Sequence, residues 1–202
     1  MTKKWPRVVL ASTSPYRSAL LERLGVPFEQ RDPTCSEEEY RDLPPDRMAT
    51  ELALLKARSV VSRGEDALII GSDQVVEIDG ETLGKPGTAA RAVAQLLRLQ
   101  GRTHRLITAV AVIDVAAQAV AQAVDVHELT MHPWPEGVLR DYVDHDQPLG
   151  CAGAYFLEKR GIALFSHIRA DPDQADDTAV IGLPLMKTLA CIRELGYEIL
   201  RA

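Results

Sequence analysis

Three cationic side chains and one carboxylate are the residues of this sequence best suited to chemistry on a polyphosphate. Arg17, Lys56 and Lys85 could neutralise the charge of phosphate oxygens. Asp73 could take a proton from water or hold a divalent metal ion. Each residue is weak evidence alone, because surface lysines and arginines are common. Together the four predict a polyphosphate-binding site, provided that the fold brings them to one place.

Asp73 lies inside the strongest strand signal of the chain, which runs from Ala67 to Ile78. The apolar run at 68–70 predicts a central strand that is covered on both sides. Asp73 and Gln74 interrupt the apolar run, and Asp73 is unexpected there because a carboxylate is costly to bury without partners and Asp is rare in strands. This break in the local pattern favours a functional carboxylate. The alternative is an Asp that caps a neighbouring loop.

The segment from Arg7 to Leu24 predicts a strand, a tight turn and a helix. A β-branched run is followed by Ser12, Ser14 and Pro15, and then by apolar residues at helical spacing. Ser14 is expected at the N-cap and Pro15 at the first helical position. Free backbone N–H groups at such a turn bind anions, and Arg17 is close enough to reach the same anion. The alternative is a capped helix with a solvated arginine.

Three further candidates lie in separate segments. Lys56 falls in the apolar stretch of a helix predicted over 48–61, where a lysine usually extends its ammonium to the surface. Residues 32–46 form an acidic, proline-rich loop that contains Glu37, Glu38 and Glu39 and could supply a carboxylate to a divalent metal. The alternative for this loop is solvated surface. Lys85 stands in a Gly-Lys-Pro corner, which is a weak signal by itself.

The composition is that of an ordinary globular protein. Of the 202 residues 46% are hydrophobic and 26% are charged, and we expect a single domain over 1–202. The net charge of −6, with no offsetting basic tract, argues against a nucleic-acid or membrane-surface partner. Without a signal peptide or an apolar run of about 18 residues, a cytoplasmic protein is the default expectation. The three distant cysteines are expected to be reduced thiols.

The rest of the chain predicts strands that alternate with helices, which is an α/β class with mixed strand directions. Helices are predicted at Thr88–Gln100, from a start at 134–136 to an end before Pro148, and at Leu185–Leu195. The remaining β segments are a short strand at 26–31, a long hairpin over 103–131 and a strand at 162–165. An acidic surface loop is expected at 170–177. His104 and His127 belong to no motif and are expected to be structural or exposed.

Five short segments, in this order, carry a resemblance to a known family: Leu10-Ala-Ser-Thr-Ser-Pro-Tyr-Arg17, Ile70-Gly-Ser-Asp-Gln-Val75, Gly84-Lys-Pro86, Cys151-Ala-Gly153 and Ile181-Gly-Leu-Pro-Leu185. The sequence resembles the Maf family, the septum-formation-inhibitor-like nucleoside triphosphate pyrophosphatases. The resemblance covers nearly the whole chain. It implies a mixed, strongly twisted sheet flanked by helices, similar to Maf and ITPase proteins, with a cleft between two lobes. It also implies a homodimer.

The resemblance further implies cleavage of a nucleoside triphosphate between its α and β phosphates, with a divalent metal (Mg²⁺ or Mn²⁺). Asp73 matches the proton acceptor that activates water. The positions that match phosphate contacts are Ser12, Ser14, Arg17, Lys56 and Lys85. Glu37, together with Asp73, matches the acidic residues near the metal.

The Ser-Asp-Gln and Cys-Ala-Gly segments resemble the 7-methyl-GTP branch of the family, in which Tyr16, Gln74 and Glu158 would select the base. Methylated guanine is positively charged, so an aromatic ring and a carboxylate both attract it. The alternatives are a dTTP/UTP pyrophosphatase, or a nucleotide-binding regulator of cell division with little hydrolysis.

Several residues depart from the family pattern. Ser18 replaces a frequent arginine and removes one phosphate contact. Lys159 and Arg160 follow Glu158 and could pair with it, which would alter base selection. The loop at 171–177 is longer than is typical of the family.

Overall fold

The computed structural model describes residues 5–173 and 175–201. Its strands are β1 (Arg7–Leu10), β2 (Phe28–Gln30), β3 (Ala67–Ile78), β4 (Glu81–Leu83), β5 (Thr103–Asp114), β6 (Ala119–Met131) and β7 (Phe165–Ala170). Its α-helices are α1 (Pro15–Glu22), α2 (Pro45–Ser59), α3 (Ala89–Leu99), α4 (Glu136–Asp146) and α5 (Leu185–Glu194). The alternation of strands and helices expected from the sequence is confirmed.

The seven strands form one mixed sheet in the order β2-β1-β3-β5-β6-β7, with β4 paired to β3. Strand β1 runs parallel to both β2 and β3. The β3–β4 and β6–β7 pairs are antiparallel. The mixed α/β class predicted from the sequence is therefore confirmed.

The chain divides into two compact units. The first contains residues 1–73, 108–125 and 176–202, and the second contains residues 74–107 and 126–175. These ranges include the residues outside the described parts of the chain. The expectation of a single domain over 1–202 stays a prediction.

The core of the first unit forms where α1 and α5 cover the parallel strands. Val8 and Leu10 of β1 pair in register with Leu68 and Ile70 of β3, and all four are almost completely buried. Apolar residues of both helices pack on this layer, among them Leu20, Leu21, Cys191 and Ile192. Continuous apolar strands of this kind are typical of parallel sheets covered on both faces.

The second unit contains the β6–β7 pair and helices α3 and α4, which contact each other. Thr88 caps α3 by accepting a hydrogen bond from the Arg91 N–H at 3.3 Å, as the sequence predicted. The aromatic rings of Tyr155 and Phe165 pack edge to face with centroids 4.9 Å apart. His104 lies beside both rings.

One local prediction is confirmed and two are wrong. The predicted break in the apolar run at Asp73 and Gln74 does not end the strand, and β3 has the predicted bounds Ala67–Ile78, because the strand ladder uses backbone groups and the Asp73 side chain pairs with a cation. The strand predicted at 162–165 is a 3₁₀ helix from Arg160 to Leu164, and β7 begins only at Phe165. Helix α2 begins at Pro45, inside the predicted loop, because proline fits the first helical turn.

The 170–177 segment is only partly a surface loop. Asp176 is 1% exposed, and its carboxylate accepts hydrogen bonds from the N–H groups of Met186 and Lys187 at the start of α5. Residue 174 lies outside the described residues. His104 and His127 are both buried, which confirms the expectation that they are structural residues and excludes the alternative that they are exposed to solvent.

The three cysteines Cys35, Cys151 and Cys191 are free thiols. Within residues 5–173 and 175–201, no helix combines the length and the apolar character needed to cross a membrane.

Candidate active site

The turn between β1 and α1 has the predicted caps. Ser14 is the N-cap of α1 and Pro15 its first residue, and the Ser14 Oγ accepts a hydrogen bond from the Arg17 N–H at 3.4 Å. The Ser12 Oγ accepts another from the Ser14 N–H at 3.1 Å. Both hydroxyl oxygens therefore organise the turn that presents the first N–H groups of the helix.

Strand pairing brings this turn and Asp73 to the same end of the β1–β3 ladder. Leu10 of β1 lies opposite Ile70 of β3, and the Ala11 N–H donates to the Ile70 carbonyl at 2.8 Å. Because the strands are parallel, Ser12 and Asp73 both follow this point, toward the carboxyl ends of the ladder. Ligands of open α/β sheets bind outside the carboxyl ends of parallel strands.

Helix α2 approaches β3 so closely that the contact requires a glycine. A β-carbon built on Gly71 would lie 2.2 Å from the Ala53 carbonyl oxygen and 2.9 Å from the Ala57 Cβ. Gly71 and Asp73 are on the same face of the strand, and Lys56 follows Ala53 by three residues, so it is on the same helix face as that alanine. The close approach thus carries the Lys56 side chain toward Asp73.

Lys56, Asp73 and Glu37 form a three-residue charge cluster. The Lys56 Nζ donates a hydrogen bond to Asp73 Oδ1 and lies 2.9 Å from Glu37 Oε1. Asp73 is 7% exposed, whereas the Glu37 side chain is 42% exposed. The lysine extends into the site, so the alternative of a surface-directed ammonium is wrong. The Asp73 side chain likewise binds Lys56 and does not cap a loop.

Burial governs the ionisation of this pair. Loss of hydration raises the pKa of the Asp73 carboxyl above its usual value, although the Lys56 and Arg17 charges act in the opposite direction. Burial alone would lower the pKa of Lys56, but the Asp73 charge and hydrogen bond more than offset it and raise that pKa. The ammonium therefore stays protonated beside a carboxylate that is a stronger base than an exposed aspartate.

Arg17 lies in the first turn of α1, and its side chain reaches Gly182, which belongs to the same compact unit. Its Nε donates a hydrogen bond to the Gly182 carbonyl at 2.8 Å. Burial raises the pKa of Asp73, and the positive charge of Arg17 opposes this rise. The guanidinium is therefore anchored next to the predicted phosphate site.

The remaining predicted site residues are distributed over the chain. Tyr16 is half-buried on α1 in the first unit. The others belong to the second unit: Gln74 is half-buried on β3, Lys85 is exposed between β4 and α3, and Glu158 is half-buried. Direct contacts join the predicted site residues in two groups, Glu37 with Lys56 and Asp73, and Ser12 with Ser14 and Arg17.

A family model described as Maf-like protein matches residues 7–195 of this chain. The match includes the serine turn, Lys56, Asp73 and the segment around Gly182. The chain belongs to the Maf family.

Curated relatives match this chain over almost its whole length. The chain is 41% identical over 194 residues to a 7-methyl-GTP pyrophosphatase of Xanthomonas campestris pv. campestris (strain 8004), covering 96% of this chain and 98% of the relative. It is 42% identical over 199 residues to a 7-methyl-GTP pyrophosphatase of Aromatoleum aromaticum, with 96% and 97% coverage. A 7-methyl-GTP pyrophosphatase of Albidiferax ferrireducens is 38% identical over 196 residues, with 97% and 96% coverage.

The segment of this Maf protein that carries Glu158 is a tight turn. The Tyr142 hydroxyl accepts a hydrogen bond from the Phe156 N–H at 3.1 Å. Burial raises the pKa of Glu158, and the Lys159 charge opposes this shift. Arg160 is 3.6 Å from Asp146, and the Lys159 Nζ lies 4.7 Å from the centre of the Phe156 ring. Both cations thus have partners within the second unit.

Sequence reasoning missed the glycines of this Maf site. Gly71 was visible only as a glycine inside an apolar strand, which is a recognised sign of close backbone approach. Gly182 appeared within the Ile181–Leu185 motif, but nothing local showed that its carbonyl binds Arg17. These contacts depend on elements that are distant in sequence.

Proposed function

We propose that this Maf protein hydrolyses 7-methyl-GTP, or a related modified nucleoside triphosphate, to the monophosphate and pyrophosphate. The observation that carries the proposal is the buried Asp73, which is ion-paired with Lys56 just beyond the carboxyl end of the β1–β3 ladder, where the Ser12–Ser14 turn follows β1. The names of the three relatives support the choice of substrate.

In the proposed reaction Asp73 removes a proton from a water molecule. The water oxygen attacks the α-phosphorus, the bond from this phosphorus to the oxygen bridging it to the β-phosphorus breaks, and pyrophosphate leaves. A raised pKa makes Asp73 a better proton acceptor, because general bases work best with a pKa near the working pH. The charges of Lys56 and Arg17 stabilise the negative charge on the phosphate oxygens. Ser12, Ser14 and Lys85 are the other proposed phosphate contacts.

Asp73 and Glu37 fit a divalent cation, because their carboxylates already converge on one ammonium group. Within the described residues, no three His, Cys, Asp or Glu side chains lie close enough to hold a metal by themselves. Two carboxylates are nevertheless sufficient for Mg²⁺ or Mn²⁺ when the substrate phosphates supply further oxygens. A bound cation would add positive charge at the phosphates.

Base selection is assigned to Tyr16, Gln74 and Glu158. The tyrosine ring can face the positively charged methylguanine in a cation–π contact. The Glu158 carboxylate can accept hydrogen bonds from the guanine edge. A neutral pyrimidine would gain less from either group, so these residue types favour 7-methyl-GTP over dTTP or UTP.

The biological setting is also part of the proposal. From the family resemblance we infer a homodimer that removes non-standard nucleotides in the cytoplasm. The net charge of −6 supports a small-molecule substrate over a nucleic-acid partner. Light scattering of the purified protein would measure the oligomeric state directly.

A substrate panel tests the proposed reaction. Pyrophosphate release from 7-methyl-GTP, GTP, dTTP and UTP would be measured with Mg²⁺, with Mn²⁺ and with a chelator. The proposal expects the highest kcat/KM for 7-methyl-GTP and no turnover in chelator. Faster hydrolysis of dTTP or UTP would overturn the substrate, and no release from any nucleotide would overturn the enzyme activity in favour of a binding protein.

A further inference from the structure

The segment that ends the 3₁₀ helix Asp177–Ile181 is fixed to the sheet by two buried hydroxyl groups. The Thr108 Oγ1 of β5 donates to the Ala179 carbonyl at 3.0 Å. The Ser72 Oγ of β3, which is completely buried, lies 2.8 Å from the Gly182 carbonyl oxygen and 2.8 Å from the Ala109 carbonyl oxygen. The backbone at residue 182 is therefore held at a defined distance from β3.

Gly182 itself has a backbone conformation that other residues rarely adopt. Its φ of 116° and ψ of 7° are in the left-handed region, and its N–H closes the 3₁₀ helix by donating to the Ala179 carbonyl at 2.9 Å. A β-carbon at this position would also lie 3.3 Å from the Arg17 Nε. An L-residue here would strain the backbone and press on the arginine.

The Gly182 carbonyl oxygen has two donor groups within hydrogen-bond distance, and the Ser72 hydroxyl can donate its one proton either to it or to the Ala109 carbonyl. The Gly182 oxygen accepts from the Arg17 Nε at 2.8 Å and lies at the same distance from the Ser72 hydroxyl. The guanidinium is a rigid plane, so a bond at Nε to a fixed carbonyl restricts the direction of the whole group. Ser72 immediately precedes Asp73 in β3, so one strand fixes both the carboxylate and, through Gly182, the arginine.

We infer that Gly182 is a positioning residue whose carbonyl, held by Ser72, directs the Arg17 guanidinium toward the phosphates. The inference rests on the proposed function only in assigning phosphate as the ligand of Arg17. It gives the Ile181–Leu185 motif a role at the site, although no residue of that motif was expected to contact the substrate. Gly182 acts through its backbone carbonyl. The position therefore requires only the left-handed backbone conformation that glycine permits.

The test is a double-mutant cycle read by binding of inorganic pyrophosphate, measured by titration calorimetry. Arg17→Ala should weaken binding by about tenfold or more, as expected for loss of a charge-assisted hydrogen bond. Gly182→Ala should weaken it by about fivefold or more because the arginine is displaced. In the Arg17→Ala background, Gly182→Ala should add less than about twofold. Ser72→Ala, which leaves the glycine backbone intact, should show the same dependence on Arg17.

The control is Gly64→Ala, because Gly64 also has a positive φ of 75° but has nothing within 4 Å of a built β-carbon. This variant should bind pyrophosphate as the wild type does. The inference would be overturned if Gly182→Ala and Ser72→Ala each weakened binding as much in the Arg17→Ala background as in the wild-type background. A wild-type protein that binds no pyrophosphate would also overturn it. Coupled pyrophosphate binding without hydrolysis of any nucleotide would confirm the positioning role and instead overturn the proposed reaction.

Discussion

Gly71 of strand β3 lies so close to Ala53 of helix α2 that a β-carbon on the glycine would come within 2.2 Å of the alanine carbonyl oxygen. The two elements meet at backbone distance, and the contact is immediately beside the Lys56–Asp73 ion pair. A side chain at residue 71 would have to separate the helix from the strand. The packing of α2 and the geometry of the charge cluster are therefore one structural feature.

Gly71→Ala should destabilise the protein by about 1–3 kcal/mol, because the added methyl group overpacks the contact between helix and strand. Urea unfolding would measure the change in the free energy of unfolding. Gly84→Ala is the matched control, since a β-carbon there has nothing within 4 Å and the residue has no positive φ. Equal stability of the two variants would contradict the close packing of α2 on β3.

Asp73→Asn should reduce kcat by about 10²–10⁴-fold, because an amide cannot accept the proton of the attacking water. Nucleotide binding, measured by calorimetry, should persist. Asp66→Asn changes an exposed carboxylate just before the same strand and should leave the rate unchanged. If Asp73→Asn retained most of its rate of pyrophosphate release, another group would have to be the base.

His104 should make the protein sensitive to acid. Burial lowers its pKa from 6.5 to about 4, and it is 2% exposed. Between these two pKa values the histidine is protonated in the unfolded chain but not in the folded protein. The free energy of unfolding therefore decreases as the pH falls from the unfolded pKa toward the folded pKa. From about pH 7 to about pH 5 the loss should be roughly 2 kcal/mol.

Urea unfolding at both pH values would measure this dependence. In His104→Gln the pH-dependent loss should shrink by that amount, whereas His132→Gln, which removes an exposed histidine, should behave as the wild type does. A wild-type stability that rises toward the lower pH, or an unchanged slope in His104→Gln, would show that His104 is not the group responsible.

Tyr16→Arg should reduce the preference for 7-methyl-GTP over UTP by roughly tenfold, because a cation replaces the ring that attracts the methylated base. The ratio of the two kcat/KM values would measure this effect. Tyr16→Phe keeps the aromatic face and should keep the preference. An unaltered ratio in Tyr16→Arg would remove Tyr16 from base selection and leave Gln74 and Glu158 as candidates.

Much of the fold could be predicted because its signals are local. The capped helix after Ser14, the helix that begins after Thr88 and the hairpin of β5 and β6 each follow from turn residues, caps and periodicity within one segment. The strand at 162–165 was wrongly placed because an apolar run of four residues has no distinctive period, and the chain there forms a 3₁₀ helix. The acidic residues around Asp176 predict a surface loop, and most of them are indeed exposed, but Asp176 itself is buried.

The sequence by itself determined the residue types of the site and the elements that hold them: a serine turn before a helix, a lysine in an apolar helix and an aspartate in a buried strand. Only the tertiary structure decided which of them meet. Lys56 bonds Asp73 across 17 residues, and Arg17 bonds Gly182 across 165. The physical reason is that such contacts depend on how closely one backbone can pack on another, as at Gly71. That distance is set by the helix and the strand together, and neither segment of sequence determines it alone.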